Sequence, residues 1–192
     1  MMTSIRASLV AAPLAVALVI PLHAQGQSAA PAPPPVAAAL STAERAELLR
    51  QAQAGLALID DIDALIQIMP PEFFKLVERS QFEQRARAEM AQMKALDARI
   101  VKAEFGEPTT LYRAGRDIIC FLPNTLLMQI KGRLYKSRGY LLAARSIDGG
   151  AWKFLDGAAI DEHHEWLWIM FPELPRDIRF PEQQQKAEPV SP

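Results

Sequence analysis

Residues 139–156, which read GYLLAARSIDGGAWKFLD, constrain the fold of this chain more than any other segment. Two apolar-rich runs flank Asp148-Gly149-Gly150, and a tight hairpin turn needs the positive φ angles that glycine adopts without strain. The segment therefore predicts a β-hairpin. A three-residue turn would place Ala144 opposite Phe154, whereas a two-residue turn would change the faces of the strands. We expect Phe154 to be a buried anchor of this hairpin.

The residues before 100 carry the three-to-four-residue spacing of apolar side chains that is typical of helices. Ser41 and Glu44 have the spacing of a capping box, which predicts a helix start. Asp60-Asp61 interrupts the first apolar stripe. Because aspartate favours caps over helix interiors, we expect two helices that break there rather than one of about 26 residues.

A further helix is predicted after the turn at residues 69–72, which read MPPE. Ser80 and Glu83 repeat the capping-box spacing and predict its start. Its apolar stripe contains Met90 and Met93. Methionines are common in adaptable binding grooves, although at helical spacing they more often fill a core.

The apolar period changes from about 3.6 to 2 near residue 100 and predicts an antiparallel meander of four to six strands. Pro123-Asn124 predicts a turn within it, and Gly132 a bulge or bend. Asp161 is a candidate cap for a last helix at 162–171, followed by an extended strap. The predicted fold is α+β, with N-terminal helices packed on one face of a curved antiparallel sheet and a short C-terminal helix and strap.

Residues 1–24 predict a secretory signal. Arg6 is the single basic residue before an apolar run from Leu9 to Leu22, and no acidic residue precedes Glu44. That run has 14 residues, short of the about 20 that cross a bilayer, although an uncleaved membrane anchor is the alternative. We therefore expect a periplasmic or secreted protein, with no membrane association after cleavage.

The rest of the chain divides by composition into a Pro/Ala-rich linker at 25–40, a single domain at 41–181 and a disordered polar tail at 182–192. About 140 residues are enough for one domain with one core. The formal net charge of −1 gives no electrostatic argument for binding nucleic acid or an anionic membrane surface.

Few residues carry recognisable chemistry. Cys120 is the only cysteine, so no intramolecular disulfide can form, and its apolar neighbours predict a buried, unreactive thiol. His163 and His164 are adjacent, and adjacent helical side chains diverge, so they predict solvated histidines rather than a metal site. The carboxylates of residues 60–63 are explained by caps and solvation, with a general base as the alternative. No cofactor motif is present, and no cofactor is predicted.

Five basic residues fall near the predicted strand turns: Arg113, Arg116, Arg133, Lys136 and Arg138. Such a cluster could receive an acidic ligand. Charges at strand ends also discourage edge-to-edge pairing, and we expect that simpler role here.

The order of elements over residues 61–157 resembles exported bacterial domains of the nuclear transport factor 2-like fold. The matching residues are Met69-Pro70-Pro71-Glu72-Phe73-Phe74, Gly139-Tyr140-Leu141-Leu142-Ala143, Ser146, Asp148-Gly149-Gly150, Trp152-Lys153-Phe154 and Asp156. The resemblance implies helices packed in the concave face of a bent sheet, leaving a cone-shaped cavity. The helix and strap after the last strand depart from that pattern and could cover the cavity mouth.

This resemblance also implies where function would lie. Enzymes of the superfamily place Asp, His or Tyr at the cone floor, so Asp117 and Tyr140 are the catalytic candidates. Tyr112, Met90, Met93 and Tyr140 are the ligand-binding candidates, although Tyr140 is also expected to pack its ring and bond a carbonyl or water. Because no catalytic constellation is present, we expect a non-enzymatic module that binds a small apolar ligand or a protein partner. The alternatives are a small cavity enzyme of the proton-transfer type and an interaction module with a filled cone.

Overall fold

The computed structural model describes residues 39–182 and 187–190. The predicted signal and nearly all of the predicted linker lie outside these residues. The helices are α1 (Thr42–Leu56), α2 (Ile62–Gln67), a 3₁₀ helix (Pro71–Lys75), α3 (Arg79–Ala95), α4 (Gly157–Glu162) and α5 (His164–Met170). The strands are β1 (Arg99–Phe105), β2 (Tyr112–Ala114), β3 (Asp117–Ile130), β4 (Arg133–Ser146), β5 (Lys153–Asp156) and β6 (Glu188–Pro189).

All six strands form one antiparallel sheet, which confirms the predicted α+β class. The main path is β1-β3-β4-β5, with β2 beside β3 and β6 beside β4. Its spine is the β3–β4 hairpin, in which 14-residue strands pair without a register shift. Each strand is therefore about 45 Å long. We call the part of this hairpin from 124 to 139 its distal half.

The predicted turn at Pro123-Asn124 is wrong, because β3 runs straight through it. The carbonyl of Pro123 accepts from Gly106 N–H at 2.8 Å, so its ring nitrogen faces the gap between β1 and β2, where no ladder bond is needed. The predicted bulge at Gly132 is also wrong. Lys131 and Gly132 have φ angles of 49° and 77° and form the two-residue turn between β3 and β4.

The hairpin at 139–156 exists, but its predicted register is wrong by one residue. Phe154 pairs with Ala143, because β5 begins only at Lys153 and the connection from β4 is longer than three residues. Phe154 is buried as predicted, with 7% of its surface exposed, and Trp152 just before the strand is more deeply buried at 1%.

The prediction that the helices pack on one face of the sheet is wrong, because they lie on both faces. What we call the α1 face carries Cys120 and Leu122, which pack with Leu48 and Ala52 of α1. The opposite face, which we call the α2 face, is covered by α2, α3, α4, α5 and the strap. Its buried residues include Ile66, Phe82, Phe121, Tyr140, Leu142, Ile160, Leu167 and Ile178.

The chain passes from the α1 face to the α2 face between α1 and α2, at the predicted helix break. The capping box of Ser41 and Glu44 starts α1 as predicted. Asp61 then caps α2, accepting from Ala64 N–H at 3.1 Å, which confirms the break at 60–61. The second predicted capping box is wrong. Glu78 precedes α3, and Ser80 lies inside the helix and donates its hydroxyl to the Glu78 carboxylate.

The C-terminal segment contains two short helices where one was predicted. Asp156 caps α4 by accepting from Ala158 N–H at 2.8 Å, so the predicted capping role of Asp161 is wrong. The strap after α5 buries Leu174 and Ile178. Within the predicted tail, Glu188 pairs with Lys136 of β4.

Candidate functional site

An apolar cavity of about 90 Å³ lies on the α1 face, between the α1–α2 connection and the paired strands β4 and β5. It is lined by Ala52, Gly55, Leu56, Ile59, Leu65, Ile68, Met69, Leu141, Phe154, Leu155 and Asp156. Asp156 is the single ionisable residue of that lining. An apolar pocket with one convergent polar group has the composition of a small-molecule site.

Three hydrogen bonds, each with at least one main-chain group, hold the elements around the cavity together. The N–H of Phe154 donates to the carbonyl of Ile68 at 2.7 Å, which joins β5 to the end of α2. The Lys153 ammonium donates to the carbonyl of Gln67 at 2.6 Å. Gln51 Oε1 accepts from the N–H of Trp152 at 2.7 Å, which joins α1 to the residue just before β5. The cavity is therefore the space that remains where three tethered elements meet.

Asp156 stands on the same side of β5 as Phe154, opposite Leu141. Its residue is half-buried. Burial raises the pKa of its carboxyl to about 7, and the nearby charge of Asp161 acts in the same direction, while the hydrogen bond from Ala158 N–H opposes them. At neutral pH this carboxyl can therefore exchange a proton or bind a cation.

The three candidates predicted on strands all lie on the α2 face, but not in one site. Asp117 begins β3, whereas Tyr140 pairs with Pro123, six residues further along that strand. This separation is about 20 Å. Asp117 is half-buried, and burial, with the charge of Glu72, raises the pKa of its carboxyl. The structure therefore does not bring Asp117 and Tyr140 together.

Tyr140 and Tyr112 both serve the packing of the α2 face. The Tyr140 hydroxyl donates to Asp161 Oδ1 at 2.5 Å. The predicted partner, a carbonyl or water, is therefore wrong. Burial raises the pKa of this phenol well above its ordinary value. The Tyr112 hydroxyl accepts from Arg179 N–H at 3.3 Å. Both rings contact Phe121 edge-on, with ring centroids 5.4 Å from Tyr140 and 6.3 Å from Tyr112.

The two methionine candidates lie on α3 and are half-buried. Met90 packs against the core of the α2 face. It also lines a shallow hollow with Asp60, Asp61, Ile62, Asp63 and Arg87. Neither methionine lines the apolar cavity.

His164 is exposed to solvent, as expected, whereas His163 is half-buried, and each histidine ring stacks on an aromatic ring. His163 lies parallel to Trp166 with ring centroids 4.3 Å apart, and His164 lies on Phe180 at 4.6 Å. Across residues 39–182 and 187–190, no three His, Cys, Asp or Glu side chains are grouped so that they could hold a metal ion. Cys120 is fully buried as predicted, and burial raises the pKa of its thiol to about 12.

The five basic residues do not form one cluster, because they lie at opposite ends of the β3–β4 hairpin. Arg116 forms an ion pair with Asp148, and Arg113 Nε donates to the carbonyl of Gly115 at 3.1 Å. Arg133, Lys136 and Arg138 are exposed on the distal half of β4.

Sequence reasoning missed both the cavity and Asp156. An aspartate followed by Gly-Ala-Ala is an available cap signal for α4. The cavity itself arises from elements that are far apart in the chain.

None of the helices in the described ranges has the length and apolar character needed to cross a bilayer. Comparisons with protein-family models, curated proteins and solved structures give no match for this chain.

Proposed function

We propose that this chain is a non-enzymatic binding module, which takes a short apolar group of a small ligand into the cavity on the α1 face. In this proposal Asp156 binds a hydrogen-bond donor or a cation at the polar end of the ligand. The proposal keeps the function expected from the sequence but places its site in the cavity on the α1 face, away from Asp117, Tyr112 and Tyr140 on the α2 face. We also propose that the protein acts outside the cytoplasm, after removal of residues 1–24.

The observation that carries this proposal is the lining of the cavity: ten apolar residues and one carboxylate. A dry cavity of about 150 Å³ is known to bind benzene. This one has about 90 Å³, so it suits a short branched alkyl group rather than an aromatic ring or a drug-sized molecule.

Asp156, the acidic residue of the cavity lining, determines which charge is preferred at the polar end of the ligand. A half-buried carboxylate is stabilised by a hydrogen-bonded cation more than by a neutral group. A short alkylamine therefore combines the two features of the cavity. An alkyl carboxylate of the same shape would bring two like charges together and should bind worst.

The test uses isobutylamine, isobutanol and isobutyrate as probes of one shape and three charges. Binding is followed by amide chemical shifts in two-dimensional NMR spectra of the labelled protein at pH 7.5. We expect the amine to bind best, in the millimolar range, with shifts at Phe154, Asp156 and Leu56. Equal shifts for all three probes, or shifts scattered over the surface, would contradict the proposal.

Two variants separate the cavity from its neighbourhood. Ile59→Phe fills the cavity with a larger side chain, whereas Leu58→Phe makes the same kind of change at a half-buried neighbour that does not line it. We expect the first to abolish binding and the second to leave it unchanged. Asp156→Asn keeps a capping side chain for α4 and should remove the preference for the amine over the alcohol.

A proton-transfer enzyme is the second candidate function, and one observation favours it. A carboxyl with a pKa of about 7 is suited to act as a general acid or base at neutral pH. In this form the enzyme hypothesis rests on Asp156 and not on Asp117 or Tyr140. Exchange of ligand carbon-bound hydrogen with deuterated solvent, lost in Asp156→Asn, would favour the enzyme over the binding module.

A further inference from the structure

The outer edge of β4 in its distal half is only partly paired. β5 pairs with residues 141–144 of β4, and β6 pairs with Tyr135 and Lys136. No other strand of residues 39–182 and 187–190 lies beside β4, so within those ranges residues 137–140 have no strand partner on that edge. An open edge presents main-chain N–H and C=O groups to any extended segment that fits it.

This edge is cationic. Arg133, Lys136 and Arg138 are exposed, and no described carboxylate lies within ion-pair distance of any of them. Glu104 is close enough to Lys136 to feel its charge, but Glu104 is already paired with Lys102 at 2.6 Å. The three basic side chains of this edge therefore form no ion pair with a described carboxylate.

The chain's own tail shows how the edge is used. β6 lies antiparallel to β4, and Glu188 stands directly opposite Lys136. The N–H of Val190 donates to the carbonyl of Leu134 at 2.9 Å. Yet β6 has two residues, and one of them, Pro189, has no N–H to donate. Within the described residues, β6 therefore makes few main-chain hydrogen bonds to β4.

The other long free edge of the sheet is protected. β1 has a register shift between Ile100 and Lys102, and its Lys102 and Glu104 side chains pair with each other. A bulge and charged residues are the features that keep an edge from pairing. The β5 edge is joined to α2 through Phe154 and Ile68.

We propose that the β4 edge between Arg133 and Tyr140 binds an acidic, extended segment of a partner protein, which adds antiparallel to β4 and displaces β6. The segment spans about six to eight residues. Main-chain hydrogen bonds to β4 hold it, and alternate acidic side chains lie opposite Lys136 and Arg138. This surface is separate from the cavity on the α1 face and does not depend on the function proposed for it.

The test uses a fluorescein-labelled peptide that alternates glutamate with valine, with threonine at both ends. Its binding to the full chain is measured by fluorescence anisotropy at low and physiological salt. Two control peptides have lysine in place of glutamate, or proline in place of valine to remove the main-chain donors. We expect only the glutamate–valine peptide to bind, more weakly as salt increases.

Three variants locate the binding edge. Combined Lys136→Glu and Arg138→Glu should weaken binding by about threefold to tenfold, since opposite-charge pairs become like-charge pairs. Arg87→Glu alters an exposed arginine on α3 and should leave binding unchanged. Glu188→Lys places a lysine opposite Lys136, so the tail should leave the edge and peptide affinity should rise. Equal binding of the proline peptide, or an equal loss in Arg87→Glu, would overturn the proposal.

Discussion

The main chain at Gly157 lies against the ring of Tyr140, so closely that a Cβ on residue 157 would lie 2.6 Å from the ring carbon Cε2. This contact fixes the first turn of α4 on the sheet, directly after the cap made by Asp156. It also explains why a glycine follows the strand in a segment where glycine has no turn to form.

Gly157→Ala should destabilise the protein by about 1–3 kcal/mol, because the added methyl group overlaps a fully buried ring. The free energy of unfolding in urea measures this. Gly106→Ala is the control, since its Cβ would meet Pro123 at an ordinary 3.4 Å. In the Tyr140→Leu background, where the ring is absent, Gly157→Ala should cost less. If it costs the same free energy of unfolding there, the clash with the ring is not the cause.

Tyr140→Phe should lower stability by about 1.5–3 kcal/mol, because it removes a hydrogen bond from the hydroxyl to the charged carboxylate of Asp161. Tyr112→Phe removes a longer, neutral hydrogen bond of 3.3 Å and should cost about 1 kcal/mol or less. Thermal unfolding of both variants at pH 7 compares them. An equal loss for the two would mean that the Tyr140 hydroxyl has no special role.

The sequence was sufficient for the features that depend on local chemistry. The capping box at Ser41, the helix break at Asp61 and the burial of Phe154 and Cys120 all follow from neighbouring residues. The change of period near residue 100 marked the start of the sheet correctly.

The features that failed depend on what lies beside a strand in space. Pro123 predicts a turn unless its missing N–H faces a gap between two partner strands, which no local pattern reveals. The strand that was expected to end at Asp156 does end there, but the same residue also caps α4, a helix that the hairpin pattern does not predict. The cavity needs α1 and α2 on opposite faces, and the helical periodicity says only that each has an apolar stripe.

The ion pair between Arg145 and Glu44 joins the sheet to the first turn of α1 at 2.9 Å. Two hydrogen bonds from Ser41, and then Arg145, lower the pKa of Glu44 to about 2. A lowered carboxyl pKa contributes stability above the unfolded value of about 4.5, which is lost as pH falls towards 2.

Glu44→Gln should therefore reduce stability at pH 7 and flatten its decline between about pH 4.5 and 2. The effect should be about 1 kcal/mol, because the Glu44 side chain is 43% exposed and solvent screens it. Urea unfolding at several pH values measures it. Glu107→Gln, at the exposed pair with Arg45, is the control and should change little.

Asp156 predicts a pH dependence of the opposite sign. Its carboxyl pKa is raised from 3.8 to about 7, so the folded state binds the proton more tightly than the unfolded state does. Stability should therefore fall as pH rises from about 4 to about 7 and stay level above that. Each pKa unit corresponds to about 1.4 kcal/mol, and partial exposure of Asp156 reduces the total.

Asp156→Asn should remove this decline while keeping the α4 cap, so the variant should be more stable than the parent at pH 8 and similar at pH 4. The difference between the two unfolding free energies across this range isolates Asp156 from Glu44, since Glu44 contributes equally to both proteins. Isobutylamine should narrow the difference at pH 8, because it stabilises the parent more than the variant. A difference that does not change with pH would mean that the carboxyl at the cavity wall titrates at its ordinary value, and the preference for a cationic ligand would lose its basis.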